Sequence, residues 1–268
     1  MLTGTFGDRS ICRLGLASRG NTHLRSEQVH VALEAGVNFL NWCGNPNGLS
    51  QAIRELGDAR SEVMVCAQFD ARSAKSAQQE LKSMLQDLGT DYLDVVTFYY
   101  VEHESEWETI LGPNGALEYC QKAKEEGLIR HLGLTSHQRK LAARWAESGY
   151  LDMLMIRYNA AHRGAEEDVF PITDALGMPV VVYTCLRWGA LMESTSDDPP
   201  GFEPPPAPMW YRFALQSPSV TVAVMAPDDA DELAENLEIL NSPALTEEEM
   251  EQLASHGQRV RKHASYFW

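Results

Sequence analysis

Short apolar runs alternate with longer stretches of helical spacing along most of this chain. The pattern is clearest between Gly127 and Gly189. The run Ile129-Arg130-His131-Leu132-Gly133-Leu134 ends in Thr135-Ser136-His137 and is followed by helical spacing over Arg139–Ser148. A second run, Met153–Arg157, precedes the helical stretch Glu166–Leu176, a Gly-Met-Pro stop and the β-branched run Val180–Tyr183, which closes on Thr184-Cys185-Leu186. Strands separated by helical stretches of this length predict βαβ units and a parallel sheet.

Extended over the whole chain, the pattern predicts a short hairpin (Met1–Phe6, a turn at Gly7–Ser10) and then strands near residues 12–17, 37–41, 63–69, 93–99, 130–135, 153–157, 179–183 and 221–225. Helices are expected over Glu27–Ala35, Leu49–Leu56, Ser76–Leu88, Gly115–Glu126, Arg139–Ser148, Glu166–Leu176, Trp210–Gln216, Asp231–Leu240 and Thr246–His263. Thr246-Glu247-Glu248-Glu249 is the capping box of the last helix. Ser194–Pro208 holds Pro199-Pro200 and Pro204-Pro205-Pro206, which no regular element accommodates, so it is read as a loop suited to a lid or a partner surface, or else disordered. Eight strands with intervening helices predict a closed (β/α)8 TIM barrel with a short N-terminal hairpin, one domain over residues 1–268, its function at the carboxyl ends of the strands.

Composition narrows the partners. A chain of 268 residues with 44% hydrophobic content can fill one large core, and a formal net charge of -16 repels phosphate backbones and anionic bilayers, so nucleic acid and membrane are excluded and a small-molecule ligand is expected. The five cysteines form no CxxC pair, which fits buried thiols in a reducing compartment. With no basic and apolar blocks at Met1-Leu2-Thr3-Gly4, the expectation is an unprocessed cytoplasmic protein.

Five separate motifs carry a family likeness: Ala35–Asn41 (AGVNFLN), Leu88–Asp94 (LGTDYLD), Gly127–Ser136 (GLIRHLGLTS), Arg157-Tyr158-Asn159 and Leu233–Leu237 (LAENL). In order and spacing the chain resembles the aldo/keto reductase family, whose barrels move a hydride from NADPH to a carbonyl with an Asp, Tyr, Lys, His tetrad. The resemblance places the family's Asp on Asn41, its Lys on Gln68 and its His on Tyr99, while Cys43–Gly48, where the Tyr belongs, contains none. All four positions are changed. A phenol of pKa ~10 donates a proton near neutrality only when a neighbour such as an ammonium stabilises its anion, and amides at 41 and 68 supply dipoles instead. The resemblance also puts the nicotinamide-amide pair on Thr135-Ser136, its glutamine partner on Met155 and the stacking aromatic on Tyr183. At the adenosine end it places Asp228, Asp229 and Asp231 where a 2′-phosphate would sit, which implies a degraded NADPH site. Carboxylates there can accept from a ribose hydroxyl, so NAD is retained.

Strand alternation puts Asn41, Gln68, Tyr99 and Arg157 on faces that would point into the barrel mouth. These four are the candidate catalytic residues, with Thr135, Ser136 and Tyr183 for a cofactor and no metal. Arg157 is either an anion contact or half of an internal salt bridge, and Asn41 and Gln68 either donate to a ligand oxygen or satisfy each other. Tyr99 is the candidate proton donor or orienter. Glu102 and His103 suit a base or a metal ligand, but a charged surface loop is the better reading, and it also covers His137, His162 and Arg163. Cys43 and Cys185 lie near strand ends without a visible histidine partner. Three functions follow: a reductase-like barrel repurposed for other chemistry on a small polar or anionic ligand; a nicotinamide-dependent oxidoreductase with a substitute acid; or a non-catalytic binding or subunit protein with Ser265–Trp268 as its contact patch.

Overall fold

Ten strands form in the computed structural model of the chain, which describes residues 2–18 and 23–263. β1 (Thr3–Phe6) and β2 (Arg9–Cys12) make an antiparallel hairpin. The remaining eight are β3 (Leu14–Ala17), β4 (Phe39–Trp42), β5 (Met64–Phe69), β6 (Leu93–Phe98), β7 (Ile129–Ser136), β8 (Met153–Arg157), β9 (Val180–Tyr183) and β10 (Val222–Met225). All pair in parallel and close into a barrel in the order β10-β3-β4-β5-β6-β7-β8-β9. The expected (β/α)8 barrel with its hairpin is therefore the observed fold.

Alternation along each strand divides the apolar side chains into two cores. Phe39, Met64, Cys66, Val95, Met153, Val181 and Val222 fill the barrel interior, while their sequence neighbours Leu40, Val65, Val96, Leu154 and Val182 face the helical layer. The interior is narrow. A Cβ on Gly133 would come within 2.9 Å of the Thr97 methyl and 3.0 Å of Met153 Cε, so only glycine fits that layer. Phe6 and Ile11 of the hairpin join the interior core and plug the amino-terminal end of the barrel. That leaves the carboxyl end open.

Three helical elements differ from the sequence expectation. Glu104–Leu111 is a helix; its Glu-rich sequence disguises a narrow apolar stripe of Trp107 and Ile110, both buried. Glu166–Leu176 is two short helices, Ala165–Asp168 and Phe170–Leu176, because Pro171 lacks the N–H that a continuous helix would need. The helix after the proline-rich segment starts at Ala207, with Pro208 in its first turn, where a missing N–H costs nothing. The Thr246 capping box forms as expected, with Glu249 N–H donating to Thr246 Oγ1 at 3.2 Å and Thr246 N–H to Glu249 Oε2 at 2.7 Å.

The proline-rich segment is strapped to the C-terminal helix Glu247–Lys262. Asp198 accepts from Thr195 N–H (2.5 Å), His256 Nδ1 (2.9 Å) and Arg259 Nε (2.5 Å), and Trp210 Nε1 donates to Pro205 O. Ser265–Trp268, the suggested contact patch, lies outside the described residues. No helix among the described residues is long and apolar enough to cross a membrane.

Candidate functional site at the barrel mouth

A cavity of about 530 Å³ opens at the carboxyl ends of the strands, a volume typical of small-molecule sites. Its floor is built by inward-facing residues one step above the apolar interior: Asn41 on β4, Gln68 on β5, Thr135 on β7 and Met155 on β8. Tyr99, Tyr100 and Tyr183 form an aromatic side, and Trp188, Met192 and Tyr211 also line the cavity. Asp228 and Glu232 stand at the end beyond β10. Of the sequence-predicted residues, Asn41, Gln68, Tyr99, Thr135 and Tyr183 thus share one cavity. Arg157 and Ser136 do not line it.

The floor presents acceptors. Asn41 Nδ2 donates to Cys43 Sγ at 3.4 Å and Gln68 Nε2 to Met155 Sδ at 3.6 Å, so each amide spends its N–H on a soft, weak acceptor. Asn41 Oδ1, Gln68 Oε1 and Thr135 Oγ1 are buried atoms with no hydrogen-bond partner among the described residues. Asn41 and Thr135 are only 2% and 1% exposed, so leaving these oxygens unmet costs about 1–3 kcal/mol apiece unless a ligand or water meets them. The amides do not satisfy each other. As oriented, they offer oxygens to a hydrogen-bond donor rather than N–H groups to a carbonyl.

The aromatic side is held under strain. Tyr100 adopts φ +42°, a left-handed conformation unusual for a tyrosine. Arg72 clamps it by donating to the carbonyls of Tyr99 (2.7 Å) and Tyr100 (3.3 Å), and Glu106 holds Arg72 at 3.2 Å. The Tyr100 ring stacks on Tyr99 at 3.9 Å and meets His137 at 4.4 Å. Glu102 Oε1 fixes His137 by accepting its backbone N–H at 2.9 Å and lying 3.0 Å from Nδ1. This Glu102–His137 pair becomes visible once the ends of β6 and β7 are known to be neighbours. His103 stays exposed at the start of the Glu104–Leu111 helix.

The loop after β9 carries a second group of left-handed residues, Thr184 (φ +55°), Arg187 (φ +52°) and Trp188 (φ +51°). Four of the five described non-glycine residues with positive φ therefore lie in the two loops that wall the cavity. Backbone strain of this kind, worth about 1–3 kcal/mol per residue, collects where a fold holds a working surface in place.

A cationic layer lies behind the wall. Arg157, 8% exposed at the end of β8, pairs in register with Tyr183. Burial pulls its pKa down, with Arg139 and Arg187 acting the same way and Tyr183 and Glu102 against it. Burial, followed by Arg157, Arg187, Arg261 and Arg139, pushes His162 down to about 3, so its imidazole is neutral. Tyr183, raised by burial and by Tyr100 against the pull of Arg157, stays a phenol and donates to Ser136 O at 3.3 Å. Ser136 is fully buried, its Oγ taking Gln138 N–H at 3.0 Å. Cys185 is pushed up to about 12 by burial, which makes it a poor nucleophile. No group of three His, Cys, Asp or Glu side chains among the described residues is placed to hold a metal ion.

Comparison with known proteins agrees with this architecture. The model of the aldo/keto reductase family matches residues 13–208. The chain is 28% identical over 127 residues to the NADH-specific methylglyoxal reductase of Escherichia coli K12, an alignment covering 47% of this chain and 38% of that protein. It is 24% identical over 206 residues to pyridoxine 4-dehydrogenase of the same organism, covering 68% and 71%. An aldo-keto reductase of Bacillus halodurans in its holo form superposes with a TM-score of 0.75 over 99% of this chain and 98% of its own, at 20% identity, which shows a shared fold.

Proposed function

This chain belongs to the aldo/keto reductase family, an oxidoreductase family, and from that premise we propose that its barrel mouth is a small-molecule site working without the family's tyrosine–lysine proton transfer. One observation carries the reading: three buried oxygens, on Asn41, Gln68 and Thr135, converge on one cavity without partners among the described residues. The matching ligand carries hydrogen-bond donors such as hydroxyl groups. Tyr99 orients that ligand from the aromatic side. An anionic ligand has less support, since Arg157 lies off the wall while Asp228 and Glu232 are on it. Arg157 then acts on the site through Tyr183.

NADPH does not fit the residues present. Its 2′-phosphate would meet the Asp228 and Glu232 carboxylates, and like charges at short range oppose binding even at a high effective dielectric. A second reading, an NAD-linked oxidoreductase, draws on the course of the cavity, which runs from Tyr183 to those two carboxylates; they suit a ribose hydroxyl. Thr135 and Tyr183 would hold the nicotinamide end, with Ser136 supporting Tyr183 from behind.

Thermal-shift screening of small alcohols, polyols, aldehydes and carboxylates, alone and with NADH or NADPH, tests both readings. Hydroxyl compounds should stabilise the protein, and Asn41→Leu and Gln68→Leu should abolish the shift. Unchanged binding by both variants would place the site elsewhere. NADH quenching of tryptophan fluorescence that weakens in Tyr183→Ala favours the second reading, and tighter binding of NADPH than of NADH would overturn the cofactor argument.

A further inference from the structure

His256, on the C-terminal helix Glu247–Lys262, is fully buried, yet both of its ring nitrogens are matched to acceptors. Nδ1 lies 2.9 Å from Asp198 Oδ1, and Nε2 lies 3.1 Å from the carbonyl oxygen of Leu191. Neither oxygen has a hydrogen to give, because Asp198 is held as a carboxylate by Arg259 Nε on the same oxygen (2.5 Å) and by Thr195 N–H on the other (2.5 Å). A neutral imidazole carries one N–H and one lone pair, so either tautomer would set a lone pair against one of these acceptors. Both contacts are hydrogen bonds only when the ring is an imidazolium. Its other neighbours are uncharged. The Phe202 and Trp210 rings lie 4.9 and 5.7 Å from it, and the loop after β8 reaches this helix at Gly257 with the backbone and methyl of Ala160. Asp197 is taken by His263 at 3.2 Å, so among the described residues Asp198 and Arg259 are the charged groups that meet the ring. The far contact reaches the site: Leu191 sits in the short helical turn Ala190–Met192, and Gly189 and Met192 on either side of it line the cavity.

We propose that His256 is a proton-operated latch on the mouth cavity: the charged ring pins the Gly189–Met192 turn to the proline-rich segment and the C-terminal helix, and loss of one proton releases the turn. Histidine suits such a device, since its charge change ordinarily falls between about pH 5 and 8. The proton that remains stays on Nδ1, where the Asp198 carboxylate attracts it. Nε2 then turns a lone pair toward the Leu191 carbonyl, and two buried acceptors face each other without a hydrogen between them. Moving the turn is the way to relieve that contact, and with it moves the part of the cavity wall formed by Gly189 and Met192. This inference rests on the mouth-site reading and adds regulation of that site to it.

Methionine-methyl NMR of the whole chain, combined with nitrogen NMR of the histidine rings, tests the latch between about pH 5 and 8. Both nitrogens of His256 should carry protons at the acid end. The Met192 methyl should shift in the same transition in which one of those protons leaves, while Met225, fully buried on β10, keeps its position. Benzyl alcohol, used as the hydroxyl probe, should bind about fivefold or more weakly at the alkaline end, as is usual for two coupled sites. In His256→Gln, which cannot change charge, the Met192 transition and the matching change in benzyl alcohol binding should both vanish. Asp198→Asn removes the counter-charge and should move the Met192 transition to lower pH, an independent check should the glutamine variant fail to fold. A His256 ring that holds one charge state across the range, or a Met192 signal that stays unchanged while the ring titrates, overturns the latch. Benzyl alcohol binding that is indifferent to Asn41→Leu would overturn the mouth-site reading alone, because the Met192 transition is read without any ligand.

Discussion

Gln68 and Tyr100 show how single residues at the mouth trade stability for a prepared surface. Gln68 keeps a buried oxygen without a partner among the described residues and gives its N–H only to a thioether. Replacing such a group by an apolar side chain of similar volume removes the desolvation cost, so Gln68→Leu should raise stability by about 1 kcal/mol in urea denaturation even as it destroys ligand binding. A fall in stability would mean that the oxygen is satisfied. Tyr100 is strained at φ +42°. Both Tyr100→Ala and Tyr100→Gly lose the stacks on Tyr99 and His137, but only glycine relaxes in the left-handed region. The glycine variant should therefore be more stable than the alanine variant by about 1 kcal/mol. Equal stabilities would show that the loop moves to relieve the strain. Neither property can be read from the sequence: Tyr99-Tyr100 carries no glycine or asparagine to announce a left-handed turn, and which way an amide points depends on sulfurs two strand positions or one barrel width away.

At the scale of elements, the strands were legible because a parallel strand buried on both faces is an unbroken apolar run, as in Val180–Tyr183. Helices were legible where capping and a wide apolar stripe coincide, as at Thr246–Lys262, and not at Glu104–Leu111, where acids outnumber the buried positions. The proline-rich segment was legible as a loop, but its attachment was not, since Asp198 and His256 are 58 residues apart. That attachment makes a pH prediction. Hydrogen bonds from Thr195, His256 and Arg259 hold Asp198 well below the usual carboxylate range, despite its burial. A depressed carboxyl contributes stability that is complete above its unfolded pKa, about 3.9, and is lost as pH falls toward the lower folded value. His162 acts in a higher window. Its folded pKa of about 3 lies below the unfolded value of about 6.5, so the unfolded chain takes up a proton first and stability declines as pH drops from 6.5 toward 3. Melting temperature followed against pH should show His162→Gln flattening the limb between pH 6.5 and 4, and Asp198→Asn lowering the plateau and removing the limb below it. Identical profiles for the parent and both variants would sink this assignment.

Across the whole molecule, the two ends of the barrel are built on opposite terms. At the closed end Asp94, fully buried at the start of β6, accepts from Arg9 of the hairpin (2.6 Å), Arg60 (2.8 Å), Arg130 of β7 (3.0 Å) and the Val65 N–H of β5 (3.0 Å). One carboxylate thus ties the hairpin plug to three adjoining segments, and every oxygen lone pair facing inward is used. Arg60 and Arg130 also lie over the Tyr92 ring at 4.3 and 4.0 Å, which fixes their planes toward Asp94. The open end has the reverse character, with partnerless oxygens and left-handed residues around a cavity. Barrel enzymes commonly divide stability and function between their two faces, and here the division is testable because the two sets of residues lie at opposite ends of the strands. Asp94→Ala strands three guanidinium groups, two of them partly solvated, and should cost about 3 kcal/mol. Ligand binding by the protein that remains folded should match the parent. The double variant Asp94→Ala, Gln68→Leu should then show a stability change equal to the sum of the two single changes, within about 0.5 kcal/mol. A coupling well beyond that would mean that the plug and the mouth communicate through the interior layer of Met64, Val95 and Met153, and that the floor of the site depends on how the hairpin is seated.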